Sequence, residues 1–242
     1  MMLRLLKKRA LKAMEEDFKL VDFFFALPYT YVVIEGEKGK AVGLVMTLPE
    51  EINEYKNTIT GASLRGFIEK ADSLNIIERT LGLAAINAVS QYYLEVDAER
   101  NVLDLVEEEK VAVIGNMLPL VQALREKGKE VFVFERNPKL WDRETLSDAL
   151  EYVLLPEMEA VIVSGSALLN CTIDMIVERS NKAKKIILVG ATAQGLPEFF
   201  KGTGVTHLAS VKVENVEKAI ISLKLGSFRG FGEQSKKYVI EV

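Results

Sequence analysis

The chain has 242 residues, 49% hydrophobic and 27% charged, the balance of an ordinary globular protein rather than a disordered or fibrous one. Its 31 basic residues face 35 acids for a formal charge of −4, which argues against a nucleic-acid or membrane-surface role and leaves a small molecule as the expected partner. The single cysteine, Cys171, excludes an intrachain disulfide and suits a reducing, cytoplasmic setting.

The first 17 residues interleave basic side chains with Leu3, Leu6, Ala10, Leu11 and Met14 at helical spacing, which predicts a packed amphipathic helix. The apolar run at 20–34 is interrupted by Asp22 and Pro28 and spans 15 residues, too few to cross a bilayer. YTYVVIEG and KAVGLVMT read as strands joined by a Gly-containing hairpin turn, GEKGK. From Ser63 the pattern becomes helical. Its longest stretch, 78–96, carries Leu81, Ala84, Ala85, Ala88, Val89 and Tyr92 on one stripe. Residues 1–100 are therefore expected to form a small α+β domain, and the charged run at 97–110 a linker.

Beyond it, apolar β-branched runs alternate with helical segments. VAVIG, VFVFE, VIVSG, IILVG and THLASVKV are followed by helical patterns at 118–128, 143–154, 168–180, 197–202 and 216–226. Continuously apolar strands of this kind belong to a parallel sheet buried on both faces. Residues 108–242 are thus predicted to form a doubly wound, Rossmann-like α/β domain with about five parallel strands.

Ligands of such sheets bind beyond the C-terminal strand ends, where strand order reverses. That rule selects Gly115 and Asn116, Glu135 and Arg136, Ser164-Gly165-Ser166, and Gly190 with Thr192. Only one of the three glycines of a dinucleotide fingerprint is present, so NAD fits poorly. Glu135, twenty residues after Gly115, stands where an acid would receive ribose hydroxyls; it could equally pair with Arg136 or Lys139, or cap a helix. Ser164, Ser166 and Thr192 offer hydroxyls to an anion or serve as turn and cap residues. Asn170 is expected to face a cleft, and Thr172 to turn away from it. Asn87, amid Gly82, Ala84, Ala85 and Ala88, suits either ligand contact or close helix packing. Cys171 reads as a small packed residue and the one histidine, His207, as structural. Any transition metal or metal chelate would need carboxylates, ligand-supplied donors, or both. No nucleophile elbow or triad appears, so no catalytic residue is assigned and whether the chain is an enzyme stays open.

GLAAINA (82–88), VAVIGNMLP (111–119), VFVFERNP (131–138), LLPEMEAVIVSGSALLNCTID (154–174) and LVGATAQGLPEFF (188–200) together resemble the family named for "putative heavy-metal chelation". The resemblance runs over most of the chain. It implies a Rossmann-like C-terminal domain, a smaller domain similar to the N-terminal domain of enolase, and a ligand site in the cleft between them. The family pattern has Leu-Ile-Asn-Gly-Thr after a threonine-rich turn, and Gly-Pro-Ser after the fourth strand. Here serines replace the threonines, Cys171 replaces the glycine, and Gly190-Ala191-Thr192 replaces Gly-Pro-Ser. Three functions stay open: a cleft for a small anionic or metal-chelating ligand, an enzyme for a nucleoside-containing ligand such as S-adenosylmethionine held by Glu135, and a non-catalytic binding or scaffold protein. A homo-oligomer is also left open.

Overall fold

The computed structural model describes residues 1–96 and 99–242; Asp97 and Ala98, which open the expected linker, lie outside the described residues. Helix α1 (Met2–Ala13) buries Met2, Leu3, Leu6 and Ala10, the apolar side of the predicted amphipathic pattern. Strands β1 (Lys19–Phe24), β2 (Tyr29–Gly36) and β3 (Gly39–Met46) form an antiparallel sheet in that order. The β2–β3 turn works because Gly39 takes φ +107°, open to a residue without a Cβ. β1 falls inside the apolar run at 20–34 and was not among the predicted strands.

Helix α2 (Leu64–Glu69) starts at Ser63, whose Oγ accepts the Gly66 N–H at 3.0 Å. Helix α3 (Ile76–Tyr93) is buried along almost its whole length, its apolar and small residues packed on several sides and its buried polar ones, such as Glu78 and Asn87, hydrogen-bonded. A Cβ on Gly43 of β3 would sit 2.0 Å from the Ala84 carbonyl oxygen and 2.2 Å from the Ala88 nitrogen. The small-residue stripe of α3 is therefore where helix and strand backbones meet.

The second sheet has seven strands: β4 (Lys110–Ile114), β5 (Glu130–Glu135), β6 (Thr145–Ser147), β7 (Ala160–Ser164), β8 (Lys185–Val189), β9 (His207–Val213) and β10 (Ser235–Glu241). Their order is β10-β9-β8-β7-β4-β5-β6, parallel throughout except for β10 against β9. Ala112, Ile114, Val161, Val163, Ile186 and Leu188 point into a core shared with Leu3, Leu6, Ile34 and Val89 of the first half. Their strand neighbours Val111, Val113, Ile162 and Ile187 pack on the opposite face with Val121 and Leu124 of α4 (Leu118–Glu126). Covering both faces is what demands unbroken apolar runs. This is the doubly wound α/β sheet the sequence predicts.

In the second half, two further elements depart from expectation. The stretch 143–154 is helical only in its second half, a 3-10 turn (Asp148–Leu150) running into α5 (Glu151–Leu154), while Thr145–Ser147 forms edge strand β6. Thr145 Oγ1 donates to Asp142 Oδ1 at 2.6 Å, a local bond that competes with helix formation. β10 lacks the signature of a buried strand because SKKYVIE opens with three polar residues and ends in an acid, which suits an edge strand.

The first half is locked onto the second on two sides. The second face of the small sheet, with Tyr31, Val33, Val42 and Leu44, packs on Val213, Phe231 and α9 (Val216–Lys224). Arg9 donates to the carbonyls of Phe199 at 2.6 Å and Lys201 at 2.8 Å. Among the described residues, no helix is long and apolar enough to cross a membrane.

Candidate functional site

Strand order reverses between β4 and β7, so the loops leaving these neighbours diverge and open a crevice at the C-terminal sheet edge. Gly115 ends β4 at φ +92°, and a Cβ there would lie 3.0 Å from the Ser164 Cβ. The next residue, Asn116, donates its backbone N–H to Glu135 Oε2 at 2.9 Å, while Glu135 Oε1 accepts the Asn137 N–H at 2.8 Å. Glu135 thus clamps the β4 and β5 loops together. Both of its oxygens already receive a backbone donor, the duty a ribose diol would have to share.

The Asn116 side chain donates to the Leu140 carbonyl at 2.6 Å, which fixes the orientation of its amide. Its Oδ1 is then left buried with no hydrogen-bond partner, an arrangement native proteins rarely tolerate away from functional positions. On the next strand, Ser164 closes β7 and its Oγ accepts from Ser166 Oγ at 2.9 Å. Asn170 follows the short helix α6 (Ser166–Leu169). Its Oδ1 accepts both the N–H of Thr172 at 3.1 Å and Thr172 Oγ1 at 2.7 Å. The expectation that Thr172 turns away from Asn170 is therefore corrected: helical spacing does not apply here. Cys171 takes a left-handed φ of +62° and folds Thr172 back before α7 (Ile173–Arg179) begins. That conformation gives a physical reason for the glycine of the family pattern at this position.

The first half supplies the opposite wall, with Met46 at the end of β3, then Leu48 and a single 3-10 turn, Pro49–Glu51. Arg136 spans the two halves, its Nη1 donating to Glu51 Oε1 and its Nε to Asp148 Oδ2, each at 2.9 Å. The cleft has a volume of about 490 Å³. Gly115, Asn116, Glu135, Arg136, Ser164, Ser166 and Asn170 all line it.

Four other candidates sit elsewhere. A Cβ on Gly165 would lie 2.8 Å from the Ala193 nitrogen, so this residue is packed rather than open. Thr192 Oγ1 accepts the Met46 N–H at 2.9 Å. Asn87 Nδ2 donates to the carbonyls of Leu44 at 2.9 Å and Thr192 at 3.0 Å. Gln194, an unpredicted partner in this seam, accepts the Leu44 N–H at 2.7 Å and donates to Val211 O at 2.9 Å. Together these polar groups satisfy the free edge of β3 and join it to the large sheet. Gly190, at φ +98°, turns the chain out of β8 into that seam.

Behind the cleft lies an inner chamber of about 40 Å³, bordered by Glu135, Arg136, Asp148, Glu151, Ser164 and Asn170. Sequence reasoning missed its principal residue. Glu151 is 3% exposed, and no hydrogen bond reaches its carboxyl among the described residues. Burial, reinforced by the negative Asp148 and opposed by Arg136, pushes its pKa up to about 7, with Glu135 adding to the rise. The sequence signal pointed the other way, since an acid among Leu150, Tyr152 and Val153 suggests an outward side chain. Instead those three are 42%, 59% and 63% exposed while Glu151 faces inward.

Protein side chains alone do not fit a heavy-metal ion. Among the described residues no three or more His, Cys, Asp or Glu gather to hold a metal. The one imidazole is engaged through Nδ1 with Thr206 Oγ1 at 2.9 Å, and burial lowers its pKa. Cys171 packs against the main core. A soft metal would lack the sulfur and nitrogen donors it prefers.

Two family models match the chain, both described as "Putative heavy-metal chelation": DUF364 over residues 97–241 and DUF4213 over residues 7–90. An uncharacterized protein of Methanocaldococcus jannaschii is 49% identical over 258 aligned positions, covering 100% of this chain and 98% of the relative. The crystal structure of a DUF364-family protein of unknown function from Pyrococcus horikoshii superimposes with TM-score 0.96 at 58% identity, covering 100% of both chains. A DUF364-family protein of unknown function from Desulfitobacterium hafniense shares the fold, with TM-score 0.78 at 21% identity over 99% of this chain and 98% of that one.

Proposed function

Because the chain belongs to the DUF364 family, described as "Putative heavy-metal chelation", we propose that its cleft binds a small metal-chelating ligand that brings most of the metal's donors itself. The ligand lies between two domains, residues 1–100 and 108–242. The observation that carries this reading is the unpartnered Asn116 Oδ1, a buried acceptor at the strand-order switch point on a residue that lines the cleft. A bound group that donates a hydrogen bond there removes the cost of leaving it unpaired, about 1–3 kcal/mol.

Charge selects among the ligands first considered. Glu50, Glu51 and Glu135 line the cleft against Arg136, whose guanidinium is already shared by Glu51 and Asp148. An acidic lining of this kind favours a metal-bearing ligand over a free anion. The absence of a three-residue donor group among the described residues favours a chelate over a bare ion.

Native mass spectrometry of the full chain purified without chelators tests the reading. The expected result is a retained small-molecule mass, with metal in step with it, that is lost in Asn116→Ala. A bare polypeptide mass, with no binding of metal chelates by calorimetry, would overturn it. Binding of S-adenosylmethionine that weakens at least tenfold in Glu135→Gln would instead favour the nucleoside-enzyme reading.

A further inference from the structure

We propose that the inner chamber behind the cleft is a subsite for a primary ammonium group, received by the carboxyl of Glu151. The proposal rests on the cleft reading, because it places one end of the cleft's ligand in the chamber.

The first observation is that Glu151, a residue only 3% exposed, lines the chamber and its carboxyl receives no hydrogen bond among the described residues. Elsewhere this chain satisfies such groups. Glu78, also 3% exposed, accepts from Thr58 N at 2.6 Å, Thr58 Oγ1 at 2.8 Å and Ser73 Oγ at 2.7 Å. The second is the inverted helix: α5 turns Tyr152 and Val153 to solvent and its one acid inward, and Leu150 just before it is exposed as well. Stability alone would select the opposite phase, so the inward carboxyl has a partner to meet.

The lining states what that partner is. Three carboxylates, Glu135, Asp148 and Glu151, face one guanidinium, Arg136. Arg136 is committed to Asp148 and Glu51, so the chamber offers acceptors and an excess of negative charge. Of the remaining polar groups, the hydroxyls of Ser164, Ser166 and Thr172 can also accept, while Asn170 Oδ1 is already taken by Thr172. A group that is cationic and rich in N–H donors complements this set; a phosphate or carboxylate does not. The volume, about 40 Å³ and open to the cleft, exceeds the roughly 10–15 Å³ one water needs and suits a group of few atoms. A metal ion is disfavoured, since these acids do not converge as a donor group. Shared borders at Gly115, Glu135, Arg136, Ser164, Ser166 and Asn170 make the chamber an extension of the cleft.

The charges acting on Glu151 are Asp148, Arg136 and Glu135, and its carboxyl titrates near neutrality in their field. A neighbouring ammonium would favour the ionised form and lower that midpoint.

The test is a carbon-13 NMR titration of the glutamate carboxyls in the full chain, with methylammonium chloride as probe. Sodium chloride at equal ionic strength and tetramethylammonium, which has no N–H and is too large, serve as controls. The expected result is a saturable downward shift of the Glu151 midpoint by about one unit with methylammonium alone, a tenfold change in proton affinity. Methylammonium binding should weaken at least tenfold in Glu151→Gln and by less in Glu151→Asp, both verified as folded by thermal melting. A Glu151 midpoint insensitive to methylammonium, or equal binding in Glu151→Gln, would overturn the proposal. If that happens while the native mass spectrum still shows a cleft ligand, only the subsite falls. If methylammonium behaves as expected but no cleft ligand is found, the cleft reading falls and the ammonium subsite stands.

Discussion

Glu78 at the start of α3 and Glu151 at the start of α5 are equally buried, at 3% exposure, yet they occupy opposite chemical surroundings. Burial opposes the charge of each. Around Glu78 that penalty is outweighed by hydrogen bonds from Ser73 and Thr58 and by Lys70 at 3.3 Å, which hold its pKa down at about 2. Around Glu151 nothing outweighs it, and two neighbouring acids add to it. Burial depth therefore does not distinguish a structural carboxylate from a candidate functional one; the count of donors does. Glu78 ties the segment around Thr58 and Ser73 to the first turn of α3, whereas Glu151 ties nothing to anything.

The largest expected effect comes from removing the satisfied member. Glu78→Ala leaves the Thr58 and Ser73 donors and Lys70 without their acceptor, and should destabilise the fold by about 2–4 kcal/mol in urea denaturation at pH 7. The folded-state pKa of Glu78 is depressed, so its contribution is present above the unfolded value near 4.5 and is lost as pH falls toward 2. A loss below about 1 kcal/mol would break the comparison, because the donors would then count for little.

Glu151→Gln should act with the opposite sign. Its folded pKa lies above the unfolded one, so the native state holds more protons between pH 4.5 and 7 and stability falls as pH rises through that window. Removing the charge should therefore raise stability at pH 8 by about 1–3 kcal/mol, a figure reduced from full linkage because the chamber opens to the cleft. The gain should disappear below pH 4.5. Paired melts of wild type and variant at pH 4 and pH 8 check it. An equal gain at both pH values would mean that shape, not charge, sets the penalty.

The contrast also marks the limit of what the sequence shows. Strands β4, β5, β7 and β8 are legible because burial on both faces leaves an unbroken apolar signature, and β9 because its mixed run THLASVKV continues the strand–helix alternation. The loops at their C-terminal ends follow from topology, so Gly115, Asn116, Glu135, Arg136, Ser164, Ser166 and Asn170 could be named before their geometry was known. β6 and β10 are edge strands without that signature. Glu51 and Met46 reach the cleft only through docking of the small sheet, which no local pattern encodes. Thr192 and Asn87 resemble site residues because a polar seam and a ligand crevice use the same side chains. Glu151 was hidden for a sharper reason: its helix breaks the amphipathic rule that would locate it.

Arg136 is the one cation that moderates Glu151, and it also bridges the halves through Glu51 and Asp148. Arg136→Ala should cost about 1 kcal/mol, since the pairs are partly exposed. It should move the Glu151 midpoint further upward, because the positive charge that lowers it is gone. A carboxyl titration by NMR reads the direction. A midpoint that stays put would show that desolvation alone governs the chamber.

The smallest effect concerns the backbone beside the chamber rather than its charges. Cys171 holds φ +62° between Asn170 and Thr172, two residues that border the chamber while Cys171 itself does not. An L-residue in that conformation brings its Cβ close to the carbonyl oxygen, at a cost of about 1–2 kcal/mol that glycine escapes. Glycine in turn gives up about 0.4–1 kcal/mol through the greater freedom of its unfolded chain. Comparing Cys171→Gly with Cys171→Ala removes the sulfur from both and isolates the backbone difference. The glycine variant should be the more stable by about 0.5–1 kcal/mol in urea denaturation. Neither variant adds or removes a charge or a hydrogen bond at Glu151, so its midpoint should match wild type in both. If the midpoint moves when only the Asn170–Thr172 turn relaxes, then wall geometry, and not the missing donors, is what separates Glu151 from Glu78.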